Sequence, residues 1–407
     1  MSFANPFASP RFNKQYVAEN GDTYIDKKRW LWLLSVLVPL LTLLGPLLYI
    51  ESGKEWMLWI PMAIFYLLIP LADWFIGEDS NNPPESIVPQ LEADVYYRWI
   101  TFLLVPVLLF GFAFTAWFVS SYPLSWSGWL AVLLVNGFIC GYGINLGHEM
   151  GHKRSLSERW AAKIALSLSA YGHFNVEHNR GHHTEVATPD DVASSKLGET
   201  IYGFYIKEYP GAFVRACRLE KQRLNRKGHS FWHPDNEVIQ GLLLTTFIYG
   251  ALTLWLGWSV LPFLLLTALW GGFQLTSANY IEHYGLLRKK QPNGRYERCQ
   301  PRHSWNSNFL LSNWSLFHLQ RHSDHHANPM RRFQALRNFE EIPQLPAGYY
   351  AMFLLAYVPP LWFKVMDKRV IAFADCDPER LNLLPKKAEK YLSQLSQPDT
   401  SGKPASD

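Results

Sequence analysis

The feature that most constrains this chain is a pair of long segments without a single Asp, Glu, Lys or Arg. The first runs for 50 residues from Trp99 to His148 and is interrupted only by a polar turn at Ser120–Ser125. The second runs for 44 residues from Val238 to Ile281, with a turn near Gly257. A hydrocarbon core about 30 Å thick requires about 20 apolar helical residues, so each segment supplies two membrane spans. Soluble helices rarely continue so far without charge.

Two further uncharged segments, Trp30–Ile50 and Trp56–Ala72, bring the prediction to six membrane helices arranged as three hairpins. Basic residues at 27–29 precede the first span, and positively charged flanks stay in the cytoplasm. An even number of spans then puts both termini and the long polar segments on that same side. The predicted fold is an all-α integral membrane protein with a cytoplasmic helical cap.

This topology divides the chain into six regions. They are an N-terminal cytoplasmic segment, spans one to four, a cytoplasmic segment, spans five and six, a C-terminal cytoplasmic segment and a flexible tail, with predicted bounds of 1–29, 30–152, 153–237, 238–283, 284–385 and 386–407. The apolar segment Pro346–Met366 is broken by Pro359-Pro360, so we expect it to pack against the bundle or at the interface instead of forming a seventh span.

Composition excludes several functions. The net charge of +4 is mild, and without a basic arm it gives no indication of nucleic-acid binding. The 4 cysteines are widely separated and form no C-x-x-C, which argues against an iron–sulfur carrier or a disulfide scaffold. The sequence also has no G-x-G-x-x-G motif for a flavin or nicotinamide nucleotide.

Nine histidines fall at or beyond the ends of the predicted spans, on the side assigned to the cytoplasm. Imidazoles at i and i+4, or i and i+3, share one helical face and can bind one metal ion. Nine exceed what a single four-coordinate ion can use, so the pattern predicts two metal ions. The candidate ligands are His148, His152, His178, His182, His183, His283, His322, His325 and His326.

Imidazole spacing alone does not name the metal, because Zn, Cu, Fe and Ni all accept this ligand. Five acidic residues near the histidines are candidates to orient imidazole N–H groups or to bridge two ions: Glu149, Glu177, Asp190, Glu282 and Asp324. Isolated histidines such as His173, His229, His233, His303 and His318 are expected to have ordinary hydrogen-bonding or packing roles.

Two other functions are compatible with part of the histidine pattern, a zinc protease and a metal transporter. The segment from His148 to His152 also matches H-E-x-x-H, in which the glutamate of a zinc protease acts as general base. That reading leaves the other histidines without a role, and the metal content of the protein distinguishes one zinc ion per chain from two metal ions. A metal transporter would need ligands in the middle of the membrane, whereas these lie at one end of the spans.

The combined motifs resemble the membrane-bound non-haem di-iron family, and most closely its alkane 1-monooxygenase branch. The resemblance rests on Glu177–His183, Asn279–Leu286 and Leu319–His326, together with Gly77–Glu85 and Ala187–Asp190, and extends over roughly residues 23 to 370. The nearest alternatives on the same scaffold are fatty-acyl desaturases and xylene-type methyl hydroxylases.

This resemblance implies a function. The nine histidines would be the ligands of two iron ions, and the reaction would be O2-dependent hydroxylation of the terminal methyl of a linear, medium-chain alkane. The alkane would arrive through the lipid, and electrons would come from rubredoxin, itself reduced by an NADH-dependent reductase. Rubredoxins are acidic, so the basic segments 215–227 and 288–290 are candidate docking surfaces. The expected location is a bacterial inner membrane.

Overall fold

A computed structural model describes residues 13–395, and its main feature is a bundle of six long apolar helices. Each is long and apolar enough to cross a membrane. We number them spans 1 to 6, and their bounds are Arg29–Ser52, Glu55–Ile76, Val95–Ser121, Trp126–Gly151, Glu237–Leu256 and Val260–His283. The six spans and three hairpins expected from the sequence are confirmed, and the protein is a multi-pass, mainly helical membrane protein.

Three of the spans begin at a side chain that caps the helix. Asp94 accepts a hydrogen bond from the Tyr96 amide before span 3, and Ser125 accepts one from the Gly128 amide before span 4. Asn236 accepts from two amides at the start of span 5. Such caps satisfy amide groups that have no partner within the helix. They fix the residue at which each of these three helices begins.

Spans 1 and 2 are less regular than the others. Both contain prolines, which cannot donate to the preceding turn and therefore disturb the helical hydrogen bonds. In span 1, 3-10 turns alternate with α-helix, and in span 2 a π-helical turn separates two α-helical pieces. The segments are Arg29–Leu33, Leu34–Leu40, Leu41–Leu43 and Leu44–Ser52, then Glu55–Trp59, Ile60–Ala63, Ile64–Leu68 and Ile69–Ile76.

Spans 4 and 6 form the centre of the bundle. The apolar window of span 4 is 83% buried, against 22% for that of span 2, which therefore faces lipid. Glycines allow the two central helices to approach closely. A Cβ added at Gly271 would lie 2.3 Å from the Cβ of Cys140, and one added at Gly137 would lie 1.9 Å from the Trp270 ring. Small residues at helix contacts are a general device of membrane bundles.

Shorter helices and turns surround the end of the bundle at which spans 4 and 6 finish, and together we call them the cap. Its longest member is Ile201–Arg226. The others are Glu85–Ile87, Val88–Ala93, Leu156–Ser167, Phe174–Glu177, His178–His182, His183–Glu185, Pro301–His303, Leu310–Ser315, His322–Ala327, Phe333–Ala335, Tyr349–Ala356, Pro359–Phe373, Pro378–Arg380, Pro385–Lys387 and Ala388–Leu395.

A small antiparallel hairpin, Lys14–Val17 with Thr23–Asp26, precedes span 1 and was not expected in an all-α chain. It is tied to the start of span 3 through Asp94. The Asp94 carboxylate accepts hydrogen bonds from Lys14 at 2.8 Å, Tyr16 at 2.7 Å and Arg29 at 2.5 Å. The basic residue that flanks span 1 therefore has a structural partner in addition to its role in topology.

Two predictions concern the chain after span 6: that Pro346–Met366 packs on the bundle and that residues 386–407 form a flexible tail. Pro346–Met366 contributes two short helices that pack on the bundle, Tyr349–Ala356 and Pro359–Phe373, and neither is among the six candidate spans of the described chain. The flexible tail predicted for 386–407 is wrong for its first part, because Ala388–Leu395 is helical and docked. Tyr391 is buried and donates a hydrogen bond to Asp367 at 2.6 Å. Residues 396–407 lie outside the described part.

Candidate metal centre

The candidate site is built on the ends of the two central spans. His148 lies in the last turn of span 4, and His152 directly follows that helix. His283 is the last residue of span 6. Spans 4 and 6 run in the same direction, so both present their imidazoles at the same end of the bundle. The short cap helix His322–Ala327 supplies three more histidines from above.

The motif His178–His183 does not form a regular α-helix. Residues His178–His182 form a π-helical turn, which widens the spacing between residues on one face. As a result His178 and His183 meet, with their Nε2 atoms 3.1 Å apart, while His182 points elsewhere. The two imidazoles of this motif that meet are therefore at i and i+5, whereas a regular α-helix would bring together residues at i and i+4.

The structure brings all nine predicted histidines together, in two groups of four with the ninth between them. In each group one nitrogen from every ring lies within 4.8 Å of the others. Cluster A consists of His148, His152, His178 and His325, and cluster B consists of His182, His283, His322 and His326. His183 places its Nε2 3.0 Å from that of His325 in cluster A, and its ring lies 4.5 Å from the ring of His326 in cluster B.

The spacing of the nitrogens fits metal ligation. The Nε2 atoms of His322 and His326 are 3.0 Å apart, as close as those of His183 and His325. Metal–nitrogen bonds of about 2.1 Å at tetrahedral to octahedral angles place ligand nitrogens roughly 3.0–3.4 Å apart. Four further Nε2 atoms are buried and have no hydrogen-bond partner within residues 13–395, those of His148, His152, His182 and His283. Buried nitrogens without partners are costly unless an ion accepts their lone pairs.

Burial also keeps the imidazoles in the form that binds a metal. Desolvation, followed by repulsion from neighbouring histidines, holds the pKa of six of them well below the usual value: His152, His178, His183, His322, His325 and His326. Neutral imidazole is the ligand form, so these side chains need not lose a proton before binding at neutral pH.

Two rings of cluster B, those of His182 and His283, are oriented by a contact at the Nδ1 nitrogen. The Nδ1 of His182 lies 2.9 Å from an Asp191 oxygen, and both side chains are fully buried. The Nδ1 of His283 lies 3.4 Å from the carbonyl oxygen of His303. An acceptor at Nδ1 directs Nε2 towards the ion and increases its basicity. Burial acts to raise the pKa of Asp191, but His182 and the hydrogen bonds around the carboxyl outweigh it and lower the pKa.

Of the five acidic candidates, Glu282 contacts a clustered histidine, His322 of cluster B. One of its oxygens lies 3.2 Å from His322 Nε2, and the other accepts a hydrogen bond from Tyr349 at 2.9 Å. Glu177 instead lies 3.3 Å from Arg215. Asp324 is fully buried, accepts from the Arg337 amide and pairs with Arg331.

The structure differs from the expectation at Asp190, which is exposed. The contact with His182 belongs to its neighbour, Asp191. Glu149 pairs with Lys153 at 2.9 Å. A carboxylate engaged in this way is not placed as the general base that the H-E-x-x-H reading requires.

One supporting residue was missed because it looks like an ordinary surface cation. Arg321, next to His322, is buried and donates to the carbonyl oxygens of Asp79 and Leu336, both at 2.8 Å. It thereby holds the loop that contains the motif Gly77–Glu85 against the histidine helix. Burial lowers its pKa to about 10, so the guanidinium stays charged at neutral pH.

A narrow apolar cavity of about 70 Å³ leads to the histidines between spans 4 and 6. Phe138 and Ile144 of span 4 line this space, whereas Leu146 and Phe273, which are also apolar residues of the central spans, do not. The lining residues are Phe138, Gly141, Tyr142, Ile144, Asn145, His148, Phe174, His178, Gln274, Leu275, Ala278, Asn279, Glu282, Leu316, Leu319, His322, Tyr350 and Phe353.

The basic residues proposed for donor docking divide into two groups. Arg215 is committed to buried acids, with Glu177 and Asp191 3.3 and 3.2 Å away, and Arg288 is buried and donates to main-chain carbonyls. Within segments 215–227 and 288–290, the exposed cations are Arg218, Lys221, Arg226, Lys227 and Lys290.

The isolated histidines behave as expected of structural residues. His318 lies 2.9 Å from the Phe333 carbonyl oxygen, and His303 lies 3.2 Å from a Glu297 oxygen. His229 and His233 stack on each other at the cap surface, with ring centres 3.9 Å apart.

Comparison with known proteins adds an independent line of evidence. The fatty acid desaturase family profile matches residues 124–356, which contain all nine histidines. The chain is 48% identical over 389 residues to an alkane 1-monooxygenase of Alcanivorax borkumensis, covering 94% of this chain and 96% of the relative. It is 47% identical to the alkane 1-monooxygenase of Ectopseudomonas oleovorans, covering 94% and 95%. A xylene/toluene monooxygenase hydroxylase component of Pseudomonas putida is 29% identical over 55% of the chain.

Proposed function

The chain belongs to the fatty acid desaturase family and, within it, to the alkane 1-monooxygenases, and we propose that it hydroxylates the terminal methyl of linear, medium-chain alkanes. One atom of O2 enters the C–H bond to give a primary alcohol, and the other leaves as water with two electrons and two protons. The observation that carries the proposal is the position of two histidine clusters at one end of an apolar cavity.

We propose two iron ions as the cofactor, with the nine histidines as their ligands. The convergent, partnerless Nε2 atoms support this assignment, as does the neutral state of the rings. His183 lies between the clusters, where its imidazole is close enough to be a ligand of either ion. Bound iron would supply the binding and reduction of O2. The protein's own part is to hold the rings through contacts such as Asp191 with His182 and to keep water from the site.

The cavity accounts for the choice of a substrate without polar groups. An alkane offers nothing to hydrogen-bond, so its position depends on shape and on apolar contact. His148, His178 and His322 are part of the cavity wall, together with a majority of apolar side chains. A chain lying in this space would present one methyl to the histidines. The substrate can reach the cavity from the bilayer because its walls belong to membrane-spanning helices.

The electrons require a separate protein. No cysteine cluster and no nucleotide motif occurs in the sequence, so a carrier must dock from outside. We propose rubredoxin, reduced by an NADH-dependent reductase, and we place its docking surface at the exposed cations Arg218, Lys221, Arg226 and Lys227. We further propose that the cap and both termini face the cytoplasm of a bacterial inner membrane, since basic residues are concentrated in the cap.

The test is turnover of octane by the purified protein with reduced rubredoxin under ¹⁸O2. We expect 1-octanol carrying ¹⁸O in wild type and in a His229→Ala variant, which alters an imidazole outside both clusters. A His152→Ala variant should form almost none. An unlabelled alcohol or no product contradicts the proposal. A new double bond in an acyl chain would instead indicate the desaturase alternative.

A further inference from the structure

A second cavity lies at the edge of the bundle, where span 3 begins beside the cap helix Leu156–Ser167. We call it the edge groove. Its volume is about 440 Å³, and its lining residues are Val95, Arg98, Trp99, Phe102 and Ser157. Because span 3 begins at Val95 and span 4, its partner in the hairpin, ends at Gly151, the edge groove lies at the same end of the bundle as the histidines. It shares no lining residue with the apolar cavity between spans 4 and 6, so it is a separate site.

The apolar wall of the edge groove continues along the lipid-facing side of span 3. Val95, Trp99 and Leu103 follow one another at intervals of four residues, so they share one face of the helix, and all three are exposed. On the cap side, Leu156 and Trp160 are also four residues apart and exposed. Exposed tryptophans at the ends of spans are typical of the region where lipid headgroups meet acyl chains. The edge groove therefore opens at the membrane interface, and an acyl chain can follow span 3 away from it.

The polar part of the edge groove is a guanidinium whose charge is only partly balanced. Arg98 donates hydrogen bonds to the hydroxyls of Ser155 at 3.1 Å and Ser157 at 3.2 Å. Its Nε is buried and has no hydrogen-bond partner among the described residues, and the nearest carboxylate oxygen, from Glu158, is 3.7 Å away. Glu158 is already engaged, because it accepts two hydrogen bonds from Arg332 at 2.7 and 3.3 Å. The groove therefore combines an apolar wall with an unneutralised cation and two hydroxyls.

We propose that the edge groove binds an anionic phospholipid, with the headgroup phosphate at Arg98 and an acyl chain on the exposed face of span 3. Guanidinium groups bind phosphate oxygens strongly, and the exposed Arg154, next to Ser155 in the chain, adds a second positive charge. A zwitterionic headgroup fits less well, because its ammonium group would lie near two arginines while Glu158 is occupied by Arg332. Phosphatidylglycerol has the required net negative charge, and its glycerol hydroxyls can bond to the serines.

The test is lipid binding to the purified full-length protein in nanodiscs of phosphatidylcholine, with or without phosphatidylglycerol of the same acyl chains. Native mass spectrometry identifies the lipids that stay bound, and the unfolding temperature is a second readout. Wild type should retain phosphatidylglycerol in preference to phosphatidylcholine and unfold at a higher temperature when it is present. Arg98→Gln should reduce this preference about fivefold, the contribution of one basic residue near an anionic leaflet. Arg295→Gln, which removes the same charge from an exposed position after span 6, should keep it.

Ser157→Glu is a second variant, because Ser157 is exposed and an acidic residue in the first turn of a helix is stabilising. The added carboxylate should pair with Arg98 and abolish the preference for phosphatidylglycerol. Equal retention of the two lipids by wild type overturns the proposal. An equal loss in Arg98→Gln and Arg295→Gln overturns it also, since it indicates general attraction to an anionic surface. Equal stabilisation by glycerol 3-phosphate in detergent would show a site for soluble phosphate esters instead. These measurements involve no turnover, so their outcome is independent of the hydroxylation reaction.

Discussion

At the scale of single residues, Asp191 is the carboxylate that orients cluster B. Replacing it by asparagine removes the charged acceptor 2.9 Å from His182 Nδ1. Loss of such a partner typically lowers metal affinity by 10- to 100-fold, and we expect a decrease of about that size for Asp191→Asn. Titration of the iron-loaded protein with a chelator, followed by metal analysis, measures this. Asp190→Asn is the control, because Asp190 is exposed and should leave affinity unchanged; equal losses in both variants would contradict the assignment.

Asp190 and Asp191 also show which part of the site could not be predicted from the sequence. The clusters of histidines could be recognised from their spacing, yet nothing in Thr188-Pro-Asp-Asp191 indicates which carboxylate turns inward. That choice depends on tertiary contacts, with Ser194 donating to Asp191 at 2.6 Å and Arg215 at 3.2 Å. Arg321 was overlooked for a related reason, since its backbone acceptors come from a loop about 240 residues earlier in the chain.

At the scale of secondary-structure elements, the contact of span 4 with span 6 determines whether the clusters can form. A methyl added at Gly271 would lie 2.3 Å from Cys140, whereas one added at Gly250 of span 5 meets nothing within 4 Å. Overpacking of this kind costs about 1–3 kcal/mol. Gly271→Ala should therefore lower the unfolding temperature in detergent, and Gly250→Ala should not. Indistinguishable melting curves would argue against close packing of the central spans.

The helices whose position depends on hydrophobicity alone were predicted correctly. The elements that depart from a regular α-helix or depend on tertiary contacts were not. The long uncharged segments gave all six spans, because the bilayer imposes a length on each. The π-helical turn at His178–His182 has no comparable signal, so the sequence does not indicate that His178 and His182 belong to different clusters. The docked helix at Ala388–Leu395 was missed because its binding partners, such as Asp367, are supplied by the folded cap.

At the scale of the whole molecule, the cavity makes a prediction about chain length. Ala278 lies between Gln274 and Glu282 on the cavity wall. A phenylalanine there would narrow the cavity partway along span 6, so Ala278→Phe should shorten the longest alkane that is hydroxylated. Product yields over a series from hexane to hexadecane measure the shift. Leu243→Phe changes a lipid-exposed position and should leave the profile unaltered; an unchanged profile in Ala278→Phe would show that the substrate binds elsewhere.

The proposed oxygenase chemistry depends on two metal ions held by imidazoles from four separate parts of the chain, and metal analysis of the purified protein tests this centre most directly. We predict two irons per chain in wild type. His152→Ala, in cluster A, should lose more iron than His229→Ala, which should retain both. A single zinc per chain, or iron content that does not respond to substitution of the clustered histidines, would contradict the two-metal centre and the oxygenase chemistry that we attribute to it.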